Sequence, residues 1–100
     1  MAIYKNSSSV YNSGSPLELI KQNSLASGNI SKILITNHDD SDSCVIKLYL
    51  KNTAEQYIIA ETTIPPRVSL ILEDNLSFES DSYALKMETT TNAELTIIIK

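Results

Sequence analysis

The last third of the chain reads VSLILEDNLSFESDSYALKMETTTNAELTIIIK, residues 68–100, and this stretch decides the fold class. Its apolar residues fall on alternate positions within three or four short segments, and turn-forming residues separate the segments. Alternation with a period of two is typical of a β-strand that buries one face. The segments centre on Leu70, Phe78, Leu85 and Ile97. The sequence therefore predicts a run of short antiparallel strands joined by brief turns.

The alternation extends toward the N-terminus through a predicted hairpin. The segment CVIKLYLK, residues 44–51, is the clearest strand, and EQYIIAETT, residues 55–63, follows it across a short polar turn. The predicted inner face of the first strand carries Cys44, Ile46, Leu48 and Leu50. Its predicted outer face carries Val45, Lys47, Tyr49 and Lys51. Because each strand buries one face, the hairpin is expected to cover a shared core.

Earlier segments give less decisive patterns. The segment SKILITN, residues 31–37, predicts a strand with Ile33 and Ile35 on one face. The segment LELIKQNSL, residues 17–25, admits a helical turn or a strand, and a strand is favoured because a helix this short is marginal without caps. The polar stretch before it is loop-like, although Ala2-Ile3-Tyr4 admits either a short strand or an arm.

The spacing of these segments predicts the fold. Seven or eight short strands recur roughly every ten residues, as they do in small β-sandwiches. We predict an all-β fold with a single antiparallel β-sandwich of Ig-like or jelly-roll-like type. Residues 1–16 are expected to form a polar N-terminal arm or loop, and residues 17–100 the β-sandwich domain. Turns between the last strands are predicted at residues 74–75 and 91–92, among others.

The composition limits the classes of partner. The 100 residues include 13 Ile and 11 Leu but one Phe and no Trp, so the core is expected to be aliphatic. The net charge is −4 and the basic residues are scattered singly, whereas nucleic acids and anionic membranes are bound by clustered Lys and Arg. The first ten residues lack the pattern of a signal peptide, and no apolar run approaches the length of a transmembrane helix. We expect a protein made in the cytoplasm that binds neither nucleic acid nor membrane.

Side chains that carry catalysis are sparse in the sequence. His38 and Cys44 are the only histidine and the only cysteine, too few for a zinc site. A catalytic triad would need His38, which is predicted on a polar loop without the buried, oriented setting of a general base. The segment HDDSD, residues 38–42, is the densest set of possible metal ligands, but it lacks the glycine and the closing glutamate of a calcium loop. We predict a solvated hairpin loop there and a buried structural thiol at Cys44. No catalytic, cofactor or metal site is expected.

Two tyrosines provide a candidate binding surface. Tyr49 and Tyr57 are predicted to lie nearly opposite each other on the outer faces of neighbouring strands. Val45 and Ile59 extend this predicted face, which makes it large for a small monomer. An exposed tyrosine pair suits stacking against a glycan or a protein interface. The alternative is an ordinary cross-strand pair that stabilises its own sheet.

The C-terminal segments also follow a recognisable order. An Ile-Pro turn precedes a strand rich in Leu and Val, an acidic turn, a second strand and a terminal strand. This order resembles the C-terminal part of small all-β virion structural proteins of tailed bacteriophages, although Ser80 stands before Asp81 where the family pattern has glycine. The resemblance covers residues 62–72, 76–87 and 93–99 directly, and residues 35–37 with 45–50 more loosely. It implies assembly on a capsid, neck or tail, with no catalytic residues.

Two functions are therefore expected. The first is a non-enzymatic structural subunit of a tailed-phage virion, which binds other virion proteins and itself through protein–protein contacts. The virion is then its expected location. The alternative is a glycan-binding β-sandwich module that uses the exposed tyrosine pair. The predicted interface residues lie in the arm and on the tyrosine face, and they are Ile3, Tyr4, Val10, Tyr11, Val45, Tyr49, Tyr57 and Ile59.

Overall fold

A computed structural model describes residues 3–7, 10–12, 14–23, 29–73, 76–90 and 94–100. These residues contain ten strands and no helix, which confirms the predicted all-β class. The strands are β1 (Ile3–Ser7), β2 (Leu17–Ile20), β3 (Asn29–Ile30), β4 (Ile33–Asn37), β5 (Cys44–Lys51), β6 (Gln56–Ile64), β7 (Val68–Leu72), β8 (Leu76–Ser77), β9 (Ala84–Thr89) and β10 (Leu95–Ile99). Within the described part of the chain, no helix is long and apolar enough to cross a membrane.

The strands form two four-stranded antiparallel sheets. Sheet A has the order β1-β10-β4-β7 and sheet B the order β2-β9-β5-β6, while β3 and β8 form a separate pair. Each strand pairs with its counterpart from the other end of the chain: β1 with β10, β2 with β9, β3 with β8, β4 with β7, and β5 with β6. This nested pairing is one long hairpin rolled into two sheets, which is the arrangement of a jelly roll. Of the two predicted sandwich types, the strand order therefore selects the jelly roll.

The core lies between the two sheets and is aliphatic, as predicted. In sheet A, Ile33 and Ile35 of β4 are buried beside alternate residues of β10. In sheet B, Cys44, Ile46 and Leu48 are buried, whereas Leu50 is only partly buried near the end of β5. The core residues are Leu19, Ile20, Ile30, Ile33, Ile35, Cys44, Ile46, Leu48, Ile64, Leu85, Met87, Leu95, Ile97 and Ile99. Branched side chains on pleated strands fill most of this space, and Phe78 packs against it.

The N-terminal segment belongs to the sandwich more closely than the predicted boundary at residue 16 suggests. Residues 3–7 form β1, an edge strand of sheet A in register with β10, so Ile3 and Tyr4 are strand residues. Ile3 packs against the core. Further along, Tyr11 and Thr89 exchange hydrogen bonds: the Tyr11 amide donates to Thr89 Oγ1 at 3.0 Å, and the Thr89 amide donates to the Tyr11 carbonyl at 2.7 Å. Ala2 and the turns predicted at 74–75 and 91–92 lie outside the described residues.

A buried asparagine fixes the loops at one end of the sandwich. Asn37 is fully buried, and its Nδ2 donates to the carbonyls of Ile64 at 3.0 Å and Asp42 at 2.9 Å. The Asn37 carbonyl accepts from the amide of Arg67 at 2.7 Å, where the backbone has a left-handed φ of 63°. A buried polar group is stable only when it is hydrogen-bonded. Asn37 therefore connects the β4–β5 loop to the β6–β7 turn.

Candidate interaction surfaces

The predicted Tyr49–Tyr57 pair is not formed. The pairing of β5 with β6 shifts by one residue, because Leu48 lies opposite Ala60 while Tyr49 lies opposite Ile58. Ile59 is the additional residue, so β6 contains a β-bulge there. Past the bulge, Tyr57 lies opposite Leu50 and therefore on the other face of the sheet from Tyr49. The two rings cannot form one platform.

The prediction that Tyr49 is exposed is also wrong. Its side chain is 1% exposed, although it faces away from the core of the sandwich. Its cross-strand neighbours are Lys86 and Ile58, and Lys47 Nζ lies 5.5 Å from the ring centroid. Burial, together with a hydrogen bond to Glu88, raises the pKa of the Tyr49 hydroxyl. Tyr49 is thus a buried residue on the outer side of sheet B.

Tyr57 has a different partner from the predicted one. Its ring is 50% exposed and packs edge-to-face against Tyr83, with centroids 5.7 Å apart and an interplanar angle of 72°. Its hydroxyl donates to Glu55 Oε2, and the Tyr83 hydroxyl donates to Glu55 Oε1 at 3.4 Å. The hydrogen bond to Glu55 raises the pKa of Tyr57 to about 12. Ile59, the fourth residue of the predicted face, is partly buried against the core.

Two other predicted interface residues do come together. Val10 and Val45 are both exposed, and they line one side of an open groove of about 490 Å³. Lys47, Glu61 and Glu88 line the same groove, so its walls carry both signs of charge. Tyr11, beside Val10, is half-buried by its contacts with Thr89.

The outer face of sheet B, which contains this groove, is highly charged. Its register places Lys47 between Glu61 and Glu88, and Lys86 beside Glu18. Lys86 Nζ lies 3.9 Å from Glu18 Oε2. The charged residues of this face are Glu18, Lys47, Lys51, Glu61, Lys86 and Glu88. Charged side chains of this kind are well hydrated, so this face is suited to contact with water.

The outer face of sheet A differs, because an apolar row crosses all four strands. The register aligns Tyr4 of β1 with Ile98 of β10, Leu34 of β4 and Ile71 of β7. Tyr4 is 68% exposed and Ile71 47% exposed at the two edges, while Leu34 and Ile98 are half-buried between them. Only Tyr4 belonged to the predicted interface. The apolar outward positions in the alternation of β4, β7 and β10 were the sequence signal for the other three.

A polar but uncharged row lies beside the apolar row. It aligns Asn6, Thr96, Thr36 and Ser69 across the same four strands. Thr96 Oγ1 donates to Asn6 Oδ1 at 3.0 Å, and the Thr36 and Ser69 hydroxyls are 2.8 Å apart. We call the two rows together the sheet A face: Tyr4, Asn6, Leu34, Thr36, Ser69, Ile71, Thr96 and Ile98. An open groove of about 630 Å³ lies over its middle and extends to His38 and Glu94.

The two ends of the sheet A face carry opposite charges. At one end, Lys100 and Lys32 continue the pairing of β10 with β4, and Lys32 Nζ lies 3.9 Å from Glu73 Oε1. At the other end, Glu94 and His38 continue the same pairing, with His38 Nδ1 3.4 Å from Glu94 Oε2. The centre of the face is therefore neutral. Lys32, Lys100 and Glu73 lie at one end, and Glu94 and His38 lie at the other, where Arg67 precedes β7 and pairs with Asp40.

The loop rich in aspartate has a structural role. The amides of Ser41 and Asp42 donate to Asp39 Oδ1 at 2.9 and 3.0 Å, and these hydrogen bonds lower the pKa of Asp39. Asp40 pairs with Arg67 at 3.1 Å. Among the described residues, no three His, Cys, Asp or Glu side chains are grouped in a way that could hold a metal ion.

No protein-family model matches the chain, and no curated protein matches it. The resemblance to virion proteins of tailed phages therefore stays a prediction.

Proposed function

We propose that the protein is a non-enzymatic structural subunit that assembles through protein–protein contacts, as a virion protein of a tailed bacteriophage. The observation that carries this proposal is the sheet A face, whose eight residues carry no charge. One-fifth of the whole chain is charged, so a neutral surface with a continuous apolar row stands out. Interface centres are typically depleted in charged residues, and extended apolar patches mark interaction sites.

The fold supports the proposal by analogy. Jelly rolls with eight main strands occur in viral capsid proteins and also in lectins. A fold alone does not determine a function, so the decision between these classes depends on the surface. Capsid, neck and tail positions are all compatible with the sequence resemblance.

Glycan binding is the second candidate, on a different surface from the predicted one. The Tyr49–Tyr57 platform is not formed, but the groove on the sheet A face presents an amide and two hydroxyls from Asn6, Thr36 and Thr96. Such groups can hydrogen-bond to sugar hydroxyls, and few placed polar groups usually orient a ligand in a cleft. The protein-binding proposal is preferred, because the apolar row extends past the groove to both edges of the sheet.

Mass spectrometry of purified particles tests the proposal. We expect the protein at a fixed ratio to the major capsid protein in particles from the strain that encodes it. Leu34→Lys should reduce its incorporation, since a lysine would be placed in the middle of the apolar row. Ile58→Lys is the matched control, because Ile58 is 54% exposed on sheet B. Absence of the wild-type protein from particles would contradict the virion assignment.

Glycan binding is tested separately with an array of immobilised glycans. Thr36→Val and Thr96→Val remove two hydroxyls while keeping the shape of each side chain. If the wild-type protein binds a glycan and both variants lose that binding, the second candidate replaces the first.

A further inference from the structure

We infer that the sheet A face binds a second copy of this chain, face to face, about a two-fold axis that runs across the strands. This inference rests on the proposed function, since it names a partner for the same surface. It specifies the occupant, the symmetry and the residues that meet. The charges at the two ends of the face and its neutral centre favour such a pair, and the area of the face limits its strength.

The charges at the two ends select the axis. Along β10 the outward positions are Glu94, Thr96, Ile98 and Lys100, because Thr96 and Ile98 alternate with the buried Leu95, Ile97 and Ile99. A two-fold axis across the strands, between the Thr96 and Ile98 rows, exchanges the two ends. Lys100 of each copy then lies over Glu94 of the other. Symmetry produces this contact twice, as in any isologous interface.

The alternative two-fold axis, along the strands, would lay the apolar row on itself, but the charges at the lysine end of the face disfavour it. This axis places β10 of one copy over β4 of the other, and it places the lysine end of one copy over the lysine end of the other. Lys100 of one copy would then lie over Lys32 of the other, because these residues are paired neighbours in the sheet. Like charges in contact are unfavourable, and symmetry would again produce the contact twice.

The centre of the pair buries no charge. Under the inferred axis, Ile98 and Leu34 of each copy meet Thr96 and Thr36 of the other. The threonine and asparagine groups already have hydrogen bonds within the chain at Asn6–Thr96 and Thr36–Ser69. These hydrogen bonds offset part of the desolvation cost of burying the groups that make them. Sheet B offers no equivalent, because a face-to-face pair there would bury six charged side chains.

The area of the face predicts a weak pair. Four strands spaced about 4.8 Å apart, and outward rows that span roughly 23 Å along the strands, give about 440 Å² of sheet per copy. Stable interfaces bury about 800 Å² per partner. The pair is therefore expected to form at high micromolar concentration. Many copies held in one assembly would strengthen it through effective concentration.

Sedimentation equilibrium of the purified full chain, up to about 1 mM in low salt, tests the pair. We expect a reversible monomer–dimer equilibrium. Leu34→Lys should weaken it at least about tenfold, because it places a charge in the buried centre. Ile58→Lys makes the same kind of change on the outer face of sheet B and should leave the dissociation constant unchanged. Circular dichroism of both variants confirms that the β fold is retained.

Exchanging the charges of Glu94 and Lys100 tests the inferred two-fold axis. Glu94→Lys and Lys100→Glu should each weaken the pair several-fold, because two attractive contacts become repulsive in each case. The double variant should restore the dissociation constant to within about twofold, as expected for residues that meet across the axis. A tighter pair with Lys100→Glu, or no restoration in the double variant, overturns the inferred axis.

A chain that is monomeric at about 1 mM overturns the inference of a second copy. If that monomeric chain is nevertheless found in purified particles, the proposed function stands and its partner is another virion protein. If the chain forms the inferred pair but is absent from particles, the pair stands and the virion assignment fails. The two experiments therefore separate the two claims.

Discussion

The two sheets of the sandwich bury similar aliphatic faces but present different outer faces. The outer face of sheet B carries six charged residues, and its aromatic residue Tyr49 is buried. The sheet A face carries no charge, and its apolar row is open from Tyr4 to Ile71. Both sheets satisfy the same requirement for a core. The two outer faces therefore differ in charge, and the uncharged one on sheet A is the face that we propose binds a partner.

The largest expected effect is on the free energy of unfolding, and it distinguishes the core from the sheet A face. Leu48 is fully buried between the sheets, so Leu48→Ala should cost about 2–5 kcal/mol of unfolding free energy, as large-to-small core changes do. Leu34→Ala makes the same change on the sheet A face, where the residue is half-buried, and should cost less than half as much. Urea denaturation of both variants measures this. Equal costs would mean that Leu34 belongs to a core and that the face is not a free surface.

The next effect separates the two tyrosines of the predicted pair. Tyr49 is 1% exposed and Tyr57 is 50% exposed, so they should not contribute equally to stability. Tyr49→Ala should cost about 2–4 kcal/mol, near the range for buried aromatic residues, and Tyr57→Ala about 1 kcal/mol or less.

Thermal or urea unfolding of the two tyrosine variants gives this comparison directly. The bulge at Ile59 is what places the rings on opposite faces. Similar costs for the two substitutions would contradict the bulge and favour the paired arrangement that the alternation alone predicts.

The smallest effect is a pH dependence in the loop beside the acidic end of sheet A. Backbone hydrogen bonds hold the pKa of Asp39 below its ordinary value of 3.8 in the folded protein. Because the folded pKa is the lower one, the carboxylate stabilises the fold above the unfolded pKa, and this contribution is lost as the pH falls through the folded pKa.

Asp39→Asn keeps the acceptor oxygen and removes the charge. The melting temperature of this variant should lie slightly below that of the wild type at pH 6, and the gap should close near pH 2. A gap of the same size at both pH values would show that the charge of Asp39 does not stabilise the loop.

The sequence was sufficient for the class of fold and for the buried faces. Period-two alternation correctly placed Cys44, Ile46 and Leu48 on the inner face of β5, although Leu50 is only partly buried, and it correctly placed Ile33 and Ile35 on one face of β4. Alternation could not locate the bulge. Ile58 and Ile59 are adjacent in QYIIAETT, so each face of the strand has an apolar residue whether or not Ile59 is bulged. A one-residue shift reverses every assignment beyond it, and Tyr57 was misplaced for that reason.

The sheet A face could not be predicted from the pattern of any one strand. Tyr4, Leu34, Ile71 and Ile98 form a row only because the nested pairing brings four distant segments into register. Each of these residues, taken alone, is an ordinary apolar residue at an outward position, and single exposed apolar residues are common. The pattern along the chain indicated the strands but not their neighbours.

Methyl NMR spectra recorded as the concentration is raised provide the most direct test that the sheet A face is the binding surface. The methyl signals of Leu34, Ile71 and Ile98 should shift progressively with concentration, or on addition of a virion partner. Those of Val45 and Ile58, which are exposed on sheet B, should stay in place. Shifts confined to Val45 and Ile58, with Leu34 and Ile98 unchanged, would contradict the account and assign binding to the charged face.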